Sequence, residues 1–447
     1  MTRLLAVLLC LDAMCVSAEQ RYFCGSKDTS ELSIVRYVSH AGADSDTCGA
    51  SLASPCATIQ RGIANCHGSG CAVLVAFEEH ELTSTLVLAD GVSLYGGCEL
   101  GEEPDPERAS LIRGAAGHVA VLAREIVAPA VFQGFAIIAG SGEKNSIAFE
   151  SIRNTSLTLR AVSLTGGMGG SRSEDRGNGG TGQSGSGGVG RRPGFSPGGI
   201  ATGGTGGQMF RDGGGGVPGN TGQAAKGGNA IGSRGEDGAS GPAGDRGRAA
   251  TNRNGFIDSR FEWNGFDGTS GTTGGYGGGG GGGGGGVFAE GGGGGSGGQG
   301  GAGGPAGRQG GASIALLIVG GRLPFEGGSI RGGVGGNGGR GGRGGNGGVG
   351  GGGAAGSPTA GRGGNGGMGG PGGGGSGGNG GPAFTVATAG VSEDDGVFVP
   401  TDVKLYLGIG GQGGEPGAAR DRGFGGETGL PGPAALGQRL ELGRVAP

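Results

Sequence analysis

Glycine is the feature that most restricts what this chain can fold into. The sequence has 129 glycines in 447 residues; fifteen precede Thr165 and fifteen follow Phe384, which leaves 99 between them. Glycine has no side chain to bury and loses the most backbone entropy on ordering, so this composition is typical of flexible loops. The ten consecutive glycines at 277–286 fit that interpretation.

A period of three residues supports a different interpretation. Residues 332–348 read Gly-Gly-x throughout. The third positions hold Val334, Asn337, Arg340, Arg343 and Asn346. An extended helix with three residues per turn has no internal hydrogen bonds and must bond laterally, and glycine lets neighbouring backbones approach closely. The sequence therefore leaves two possibilities open, flexible loops and laterally packed polyglycine-II helices.

The amino terminus predicts export. Arg3 supplies a positive charge, residues 4–11 are apolar, and residues 16–18 (Val-Ser-Ala) give a small-residue cleavage pattern, so residues 1–18 are a predicted signal peptide. No other stretch approaches the roughly 20 apolar residues that span a bilayer. We therefore expect a secreted, extracellular or outer-surface protein with no transmembrane segment. The alternative is that residues 4–11 form a buried first strand.

The cysteines agree with export. Two of the eight, Cys10 and Cys15, lie in the predicted signal peptide. The remaining six are Cys24, Cys48, Cys56, Cys66, Cys71 and Cys98. An even number in an exported chain predicts three disulfides, although six cysteines allow fifteen pairings. Short loops favour Cys48–Cys56 and Cys66–Cys71, which would leave Cys24 for Cys98. No cysteine–histidine cluster has zinc spacing.

Short β-strands are indicated outside the glycine-rich stretches by runs of Val, Ile, Leu and Thr between Gly, Asp or Asn residues. These runs are residues 72–77, 82–88, 92–95, 119–122, 131–138, 147–149 and 156–164. In the last run, period-two alternation predicts one face formed by Leu157, Leu159, Ala161 and Ser163.

A repeated corner links these strands. It consists of a branched aliphatic residue, one further residue and then glycine. It occurs at Leu94, Ile112, Ile138, Leu164 and Ile330, and is echoed at Ile409. The steps from Ile112 to Ile138 and from Ile138 to Leu164 are 26 residues each, a period typical of a parallel β-helix with three short strands per coil.

Each long glycine-rich tract begins directly after such a corner, which predicts insertions that project from one side of the coil. The predicted organisation is an N-terminal disulfide-stapled β-helix (19–165), a Gly-rich insertion (166–312), a rung (313–331), a second insertion (332–382), a rung (383–411) and a Gly/Pro-rich C-terminal tail (412–447). The predicted fold class is therefore all-β, a parallel β-helix with long Gly-rich insertions from one corner.

Three segments resemble bacterial exported pectin-lyase-like right-handed β-helix proteins. Residues 37–46 (Tyr-Val-Ser-His-Ala-Gly-Ala-Asp-Ser-Asp) and 54–60 (Ser-Pro-Cys-Ala-Thr-Ile-Gln) resemble their first strand and capping helix, and residues 90–97 (Asp-Gly-Val-Ser-Leu-Tyr-Gly-Gly) resemble one of their rungs. The resemblance covers about residues 35–165 and implies a right-handed coil. Residues 77–81 (Phe-Glu-Glu-His-Glu) depart from the Pro-Gly-Thr-Tyr-like segment usual there. This fold hosts lyases, hydrolases, adhesins and structural proteins, so it assigns no activity.

The glycine-rich tracts carry a second resemblance. They are similar to the repetitive domains of mycobacterial PGRS proteins and to the polyglycine-II bundles of phage tail adhesins and springtail antifreeze proteins. Residues 232–247 instead read Gly-x-y, which looks collagen-like, but too few triplets contain proline to hold a triple helix.

Aromatic residues concentrate at one place in the first tract, Phe256, Phe261, Trp263 and Phe266. They could form a recognition loop that stacks on sugars, or a plug that packs against the coil.

The densest ionisable cluster is residues 78–81, Glu-Glu-His-Glu. On a strand, Glu79 and Glu81 would share one face and Glu78 and His80 the other. Such a cluster could bind calcium or act as acid and base, but a solvated turn explains it equally well. The same choice applies to Glu-Asp-Asp-Gly at 393–396.

Net charge argues against nucleic acid as a partner. The chain carries a formal charge of −4, and its Arg-Gly-Gly repeats lie in a predicted exported protein. The sequence predicts no catalytic residue, no metal and no cofactor. We expect a non-enzymatic surface structural or adhesive protein whose partners are glycans, cell-envelope components or copies of itself. The alternative is a polysaccharide-acting lyase or hydrolase, which carboxylates clustered on one outer sheet face would favour.

Overall fold

A computed structural model describes residues 21–24, 27–29, 32, 34–67, 70–101, 105, 107–142, 144–172, 176–196, 200–217, 223, 225–228, 231–390, 398–420 and 423–442. The predicted signal peptide and residues 393–396 lie outside the described residues. The chain is all-β with parallel sheets, and the described residues contain one short helix, α1 (Ile59–Ala64).

The described strands, in chain order, are β1 (Arg21–Cys24), β2 (Lys27–Asp28), β3 (Ile34–Val38), β4 (Cys71–Ala76), β5 (Glu79–Glu81), β6 (Leu86–Val87), β7 (Ser93–Gly101), β8 (Ser110–Arg113), β9 (Val119–Arg124), β10 (Ala130–Gln133), β11 (Phe135–Ile138), β12 (Ser146–Asn154), β13 (Leu157–Thr165), β14 (Phe256–Ile257), β15 (Trp263–Asn264), β16 (Ser313–Gly321), β17 (Leu323–Arg331), β18 (Ala383–Ala389), β19 (Phe398–Thr401), β20 (Lys404–Tyr406) and β21 (Ala434–Leu442).

Most of these strands stack into three parallel ladders. The first ladder contains β3, β4, β7, β10, the start of β13, the start of β17 and β19. The second contains β5, β8, β11, the end of β13, the end of β17 and β20. The third contains β6, β9, β12, β16, β18 and β21. The first two belong to one sheet and the third to a second sheet.

The chain visits the first, second and third ladders in turn and then repeats this circuit. Each glycine-rich tract joins the second ladder to the third. The first tract (166–312) runs from β13 to β16, the second tract (332–382) from β17 to β18, and the third tract (407–433) from β20 to β21. All three therefore leave the ladders at the same corner, the one where the sequence places them.

The predicted C-terminal tail needs a correction. The sequence treats residues 412–447 as a tail, but β21 lies inside that range and forms the last strand of the third ladder. Its alternation is weak because most of its side chains are exposed. Pairing with β18, which no local pattern reveals, makes it a strand.

The predicted repeat is shifted by one residue in the second ladder. Ile112 pairs with Ile137, Ile137 with Leu164, and Leu164 with Ile330. Ile137 is fully buried, whereas Ile138, which carries the predicted 26-residue step, is only partly buried. A shift of one residue moves a strand side chain to the opposite face, so burial selects Ile137.

Two other members of the predicted repeat lie elsewhere. Leu94 pairs with Phe132 and so belongs to the first ladder. Ile409 forms a bridge with Val334, beyond the end of the second ladder. The same corner sequence therefore occurs at structurally different places and does not mark one position of the repeat.

A bend between the first and second ladders breaks the alternation of β13. Ala161 lies in the left-handed region at φ 45° and is exposed, so the predicted face is wrong beyond Leu159. The buried side chains of the strand are Leu157, Leu159, Val162 and Leu164. Gly134, at φ 73°, stands at the same bend one circuit earlier and divides the predicted strand 131–138 into β10 and β11.

The middle strands of the third ladder, β12, β16 and β18, are buried on both faces. Its inner face contributes Phe149 and Leu316 to the main core, which also contains Phe132 and Phe135 stacked with ring centroids 4.4 Å apart. Its outer face packs under a separate cluster. Strands buried on both faces read as continuous apolar runs, which explains the uninterrupted apolar sequence of residues 314–319.

Three disulfides staple the N-terminal part. They link Cys48 to Cys56 and Cys66 to Cys71, the two pairs favoured by loop length, and Cys24 to Cys98, the pair that these two leave. The Cys24–Cys98 disulfide joins β1 to β7, and the other two hold the segments on either side of α1. Disulfides of this density are typical of an oxidising compartment.

The glycine-rich tracts are not free loops in the described residues. Lateral backbone hydrogen bonds join extended segments at every third residue. Gly274 donates to the carbonyl of Gly301 (2.9 Å), Gly301 to Gly370 (2.9 Å), and Gly370 to Gly275 (2.8 Å). Gly414 of the third tract donates to Gly378 of the second (2.8 Å). The three tracts thus form one hydrogen-bonded body, which we call the glycine bundle, with the bonding pattern expected of three-residue helices.

Glycines in the bundle are required sterically. A Cβ added at Gly300 would lie 1.8 Å from the carbonyl oxygen of Gly274, and one at Gly347 would lie 1.8 Å from the carbonyl oxygen of Gly369. No side chain fits at such positions, so backbone contacts replace side-chain packing here.

A run has more glycines per triplet when it is surrounded by more neighbouring segments of the bundle. In the buried run 277–286, Gly280, Gly281 and Gly282 donate to three different segments, at Gly295, Glu236 and Gly214. In the Gly-Gly-x run 332–348 two residues of each triplet face neighbours. Its third positions, Val334, Asn337, Arg340, Arg343 and Asn346, are all exposed. In the Gly-x-y run 232–247 most of the other residues are exposed, so this run lies at the rim.

Candidate functional site

An aromatic hairpin from the first tract packs on the outer face of the third ladder. Strands β14 and β15 form the hairpin, and β14 also pairs with the end of β21. Ile257 is fully buried and Trp263 is 5% exposed. They pack with Ile147, Leu317 and Phe384 of the third ladder. The hairpin therefore covers an aliphatic sheet face that would otherwise meet water.

Local hydrogen bonds shape the hairpin. The Asp258 carboxylate accepts from the backbone N–H of Arg260 (2.9 Å) and of Glu262 (3.0 Å), which closes the turn. The indole N–H of Trp263 donates to the carbonyl of Asn254 (2.8 Å). The side-chain amide of Asn145, just before β12, donates to the carbonyl of Trp263 (2.9 Å) and fixes the hairpin to the ladder.

A pocket of about 280 Å³ lies between the hairpin and the third ladder. Its walls combine apolar and ionisable side chains. They include His118, Arg124, Lys144, Glu150, Arg260, Phe261, Glu262 and Trp263.

Glu150 is the most unusual group in this pocket. It is 6% exposed, pairs in register with Leu122 and Leu317, and its Oε1 has no hydrogen-bond partner among the described residues. Burial raises the pKa of Glu150 to about 7; Arg124 opposes the rise and Glu262 adds to it. A carboxyl group that is partly protonated at neutral pH can donate as well as accept a proton.

The four aromatic residues predicted to form a recognition loop differ in their exposure to solvent. Trp263 is buried as the plug interpretation requires, so it offers no face for a sugar. Phe256 and Phe266 contact each other with ring centroids 5.2 Å apart and are partly exposed. Phe261 lies beneath the guanidinium groups of Arg124 (5.6 Å) and Arg153 (5.2 Å).

Sequence reasoning did not single out Glu150. The available signal is a lone carboxylate in the nine-residue strand β12, where every residue but one is buried. A charged residue in a strand of that kind indicates either a paired ion or a functional group.

The second ionisable cluster is residues 78–81, and its side chains alternate between the two faces of the strand as the sequence predicts. Glu79 and Glu81 are exposed on β5, and His80 between them is 4% exposed. Glu79 forms an ion pair with Arg113 of the next circuit. Glu78 accepts from the hydroxyl of Ser39 (2.9 Å).

Glu78 and His80 meet His40, which follows β3. The backbone N–H of His40 donates to Glu78 (2.8 Å), and the His40 and His80 rings meet edge to face with centroids 4.7 Å apart. Burial lowers the pKa of His80, and His40 lowers it further. Burial would raise the pKa of Glu78, but hydrogen bonds from His40 and Ser39 bring it below its ordinary value.

The arginines of the Arg-Gly-Gly repeats lie on the surface. Arg331 stacks on the ring of Tyr406 at 4.4 Å, and Arg340 approaches Glu415 at 3.6 Å. Arg343 and Arg362 are exposed on the glycine bundle.

No helix among the described residues combines the length and apolar character needed to cross a membrane. No protein-family model, curated protein or solved structure matches the chain.

Proposed function

We propose that this protein is a secreted or cell-surface structural and adhesive protein, built as a right-handed parallel β-helix that carries a polyglycine-II bundle. The repeated circuit through three ladders supports the coil, and the three disulfides support an extracellular location. The glycine bundle is the part that meets the partner.

The observation that carries this proposal is the regular polar row on the bundle. Asn337, Arg340, Arg343 and Asn346 are all exposed, one per triplet. An extended three-residue helix rises about 3.1 Å per residue, so these side chains repeat about every 9 Å. Evenly spaced amide and guanidinium donors on a rigid support match a repeating partner that is rich in hydroxyl or carboxylate acceptors, such as a polysaccharide.

Binding to immobilised cell-envelope polysaccharides tests the proposal. The variant Arg340→Ala/Arg343→Ala removes two donors from the row without altering any glycine. The matched control, Arg322→Ala/Arg439→Ala, removes the same charge from exposed positions outside the glycine bundle. We expect the first variant to lose retention and the control to keep it. Equal retention of both variants would show that the polar row is not the contact surface.

Fractionation with protease shaving of intact cells tests the location. A surface protein is retained with the cells and shaved from them. Recovery in the medium alone would remove the support for adhesion, although a diffusible matrix protein would still fit the fold.

One observation favours the alternative, a polysaccharide-acting enzyme. Glu150 and Glu262 line the same pocket, and Glu150 has a raised pKa while Arg124 lies beside it. Glycoside cleavage uses a pair of carboxyl groups, one of which has a raised pKa and acts as the acid. Against this, Glu150 is flanked in register by Leu122 and Leu317, so the row carries no second carboxylate at those positions.

Release of reducing or unsaturated ends from polysaccharides decides between the two. We expect none from the wild-type protein. Activity that Glu150→Gln abolishes and Glu441→Gln, an exposed control on β21, preserves would replace the structural proposal with the enzymatic one.

A further inference from the structure

His40, Glu78 and His80 come from two separate places in the chain and converge beside the first circuit. His40 lies in the turn after β3, Glu78 lies between β4 and β5, and His80 is the middle residue of β5. A ring nitrogen of each histidine and a carboxylate oxygen of Glu78 lie within 4.8 Å of one another. Ligand atoms around a zinc ion bonded at about 2.1 Å are roughly 3.4 Å apart, so only small side-chain movements separate this cluster from a coordination shell.

His80 supplies the observation that points to a ligand. Its side chain is 4% exposed, and its Nε2 has no hydrogen-bond partner among the described residues. A buried ring nitrogen without a partner is costly, so it points to a bound ligand. A hydrogen bond with the Ala76 carbonyl engages the ring. Since Nε2 is unpaired, that bond belongs to Nδ1, and the Nε2 lone pair is left available for a ligand.

Glu78 is oriented in the same way. One carboxylate oxygen accepts from the Ser39 hydroxyl (2.9 Å) and the other from the His40 N–H (2.8 Å). Each carboxylate oxygen has two lone pairs, so a further lone pair remains for a metal ion. Hydrogen bonds of this kind hold metal-binding carboxylates in position.

The segment that carries Ser39 and His40 is itself fixed. Ser39 donates its backbone N–H to the carbonyl of Cys56 (3.0 Å), within the loop that the Cys48–Cys56 disulfide closes. Gly42 packs so closely on Pro55 that no side chain fits there. The cluster is therefore pre-organised by the disulfide-stapled region.

We propose that His40, Glu78 and His80 bind one divalent transition-metal ion of the zinc class. Two imidazoles and one carboxylate suit zinc and its neighbours, whereas calcium prefers oxygen ligands alone. Three protein ligands leave one position open. Both histidines also line a pocket of about 260 Å³, whose other lining residues include Thr58, Thr83, Ser84 and Thr85.

Calorimetric titration of the disulfide-intact protein with zinc chloride tests this proposal. We expect saturation at one equivalent, unaffected by excess calcium. His40→Gln and Glu78→Gln should abolish this binding, and Ser39→Ala should weaken it by about 10–100-fold. The control is His67→Gln, which changes an exposed histidine outside the cluster.

His40 is exposed, so its substitution does not depend on the core, and near-ultraviolet circular dichroism verifies the fold of each variant. His80→Gln is the stronger test only if that spectrum is unchanged. The proposal is overturned if the wild-type protein shows no saturable zinc binding, if folded His40→Gln binds as tightly as wild type, or if His67→Gln abolishes binding.

Discussion

Replacing Gly300 with alanine tests whether the glycine bundle is close-packed. A Cβ at Gly300 would lie 1.8 Å from the carbonyl oxygen of Gly274, whereas a carbon–oxygen contact needs about 3.3 Å, so the two segments must separate by about 1.5 Å. Gly274 and Gly277 donate to Gly301 and Gly298 at 2.9 Å, and that separation breaks both hydrogen bonds. Each is worth about 1 kcal/mol, and overpacking costs about 1–3 kcal/mol. The expected loss of stability is therefore about 3–5 kcal/mol.

Gly180 provides the matched control. It also lies in the first tract, its carbonyl accepts from Ala302 (2.9 Å), and a Cβ there would meet no atom within 4 Å. Its φ lies outside the left-handed region. Alanine at such a position stabilises by about 0.4–1 kcal/mol, because the unfolded chain loses freedom. The two substitutions are chemically identical and are expected to change stability in opposite directions.

Hydrogen exchange measured by mass spectrometry, together with urea unfolding, provides the readout. Gly300→Ala should speed exchange of the amides around 271–304 and lower the unfolding midpoint, whereas Gly180→Ala should do neither. If the two variants agree within about 0.5 kcal/mol and exchange alike, the tracts are loose chains and the steric reasoning fails.

Two further predictions concern the pocket and the hairpin. The folded pKa of Glu150 is raised from 4.5 to about 7, so its protonated form stabilises the fold and that contribution is lost as pH rises from about 4.5 to 7. Glu150→Gln should therefore match wild type near pH 4.5 and exceed it by on the order of 3 kcal/mol at pH 8, measured by urea unfolding; a difference that does not change with pH would contradict this. Trp263 is the only tryptophan of the chain and is buried, so its fluorescence should be blue-shifted and resist iodide quenching. Strong quenching, or a shift on adding polysaccharide, would restore its predicted recognition role.

The sequence predicts the strand-rich flanks and the position of the tracts because those depend on local pattern. Apolar runs and the glycine after the corner identify where strands end. Loop length favours two of the disulfide pairs that the structure contains, and the third pair is the one that remains. Pairing register is different, because it depends on which face the core selects. The choice between Ile137 and Ile138 is invisible until the neighbouring strands are in place.

Order in the glycine tracts could not be decided from composition. Flexible loops and lateral packing place the same residues in the same order, and only the presence of neighbours separates them. The candidate sites show the same limit. The pKa of Glu150 is raised by burial, which arises only when the third ladder and the hairpin are assembled. His40 and His80 lie far apart in the sequence and meet only in the folded chain. Such environments arise from the fold and leave no local pattern.

The ten-glycine run 277–286 has a further consequence for the ladders. Every triplet in that run is equivalent to the next, so its lateral bonds fit equally well after a slip of three residues. Nothing inside the run specifies one alignment. The tracts are clamped at both ends by paired strands, and those pairings, such as Ser313 with Ala383, set the alignment for the whole body. The strand pairing in the ladders therefore determines the alignment of the glycine segments, which their own sequence leaves undetermined. Changes of tract length should be accommodated in whole triplets, and a single inserted residue should be far more disruptive than three.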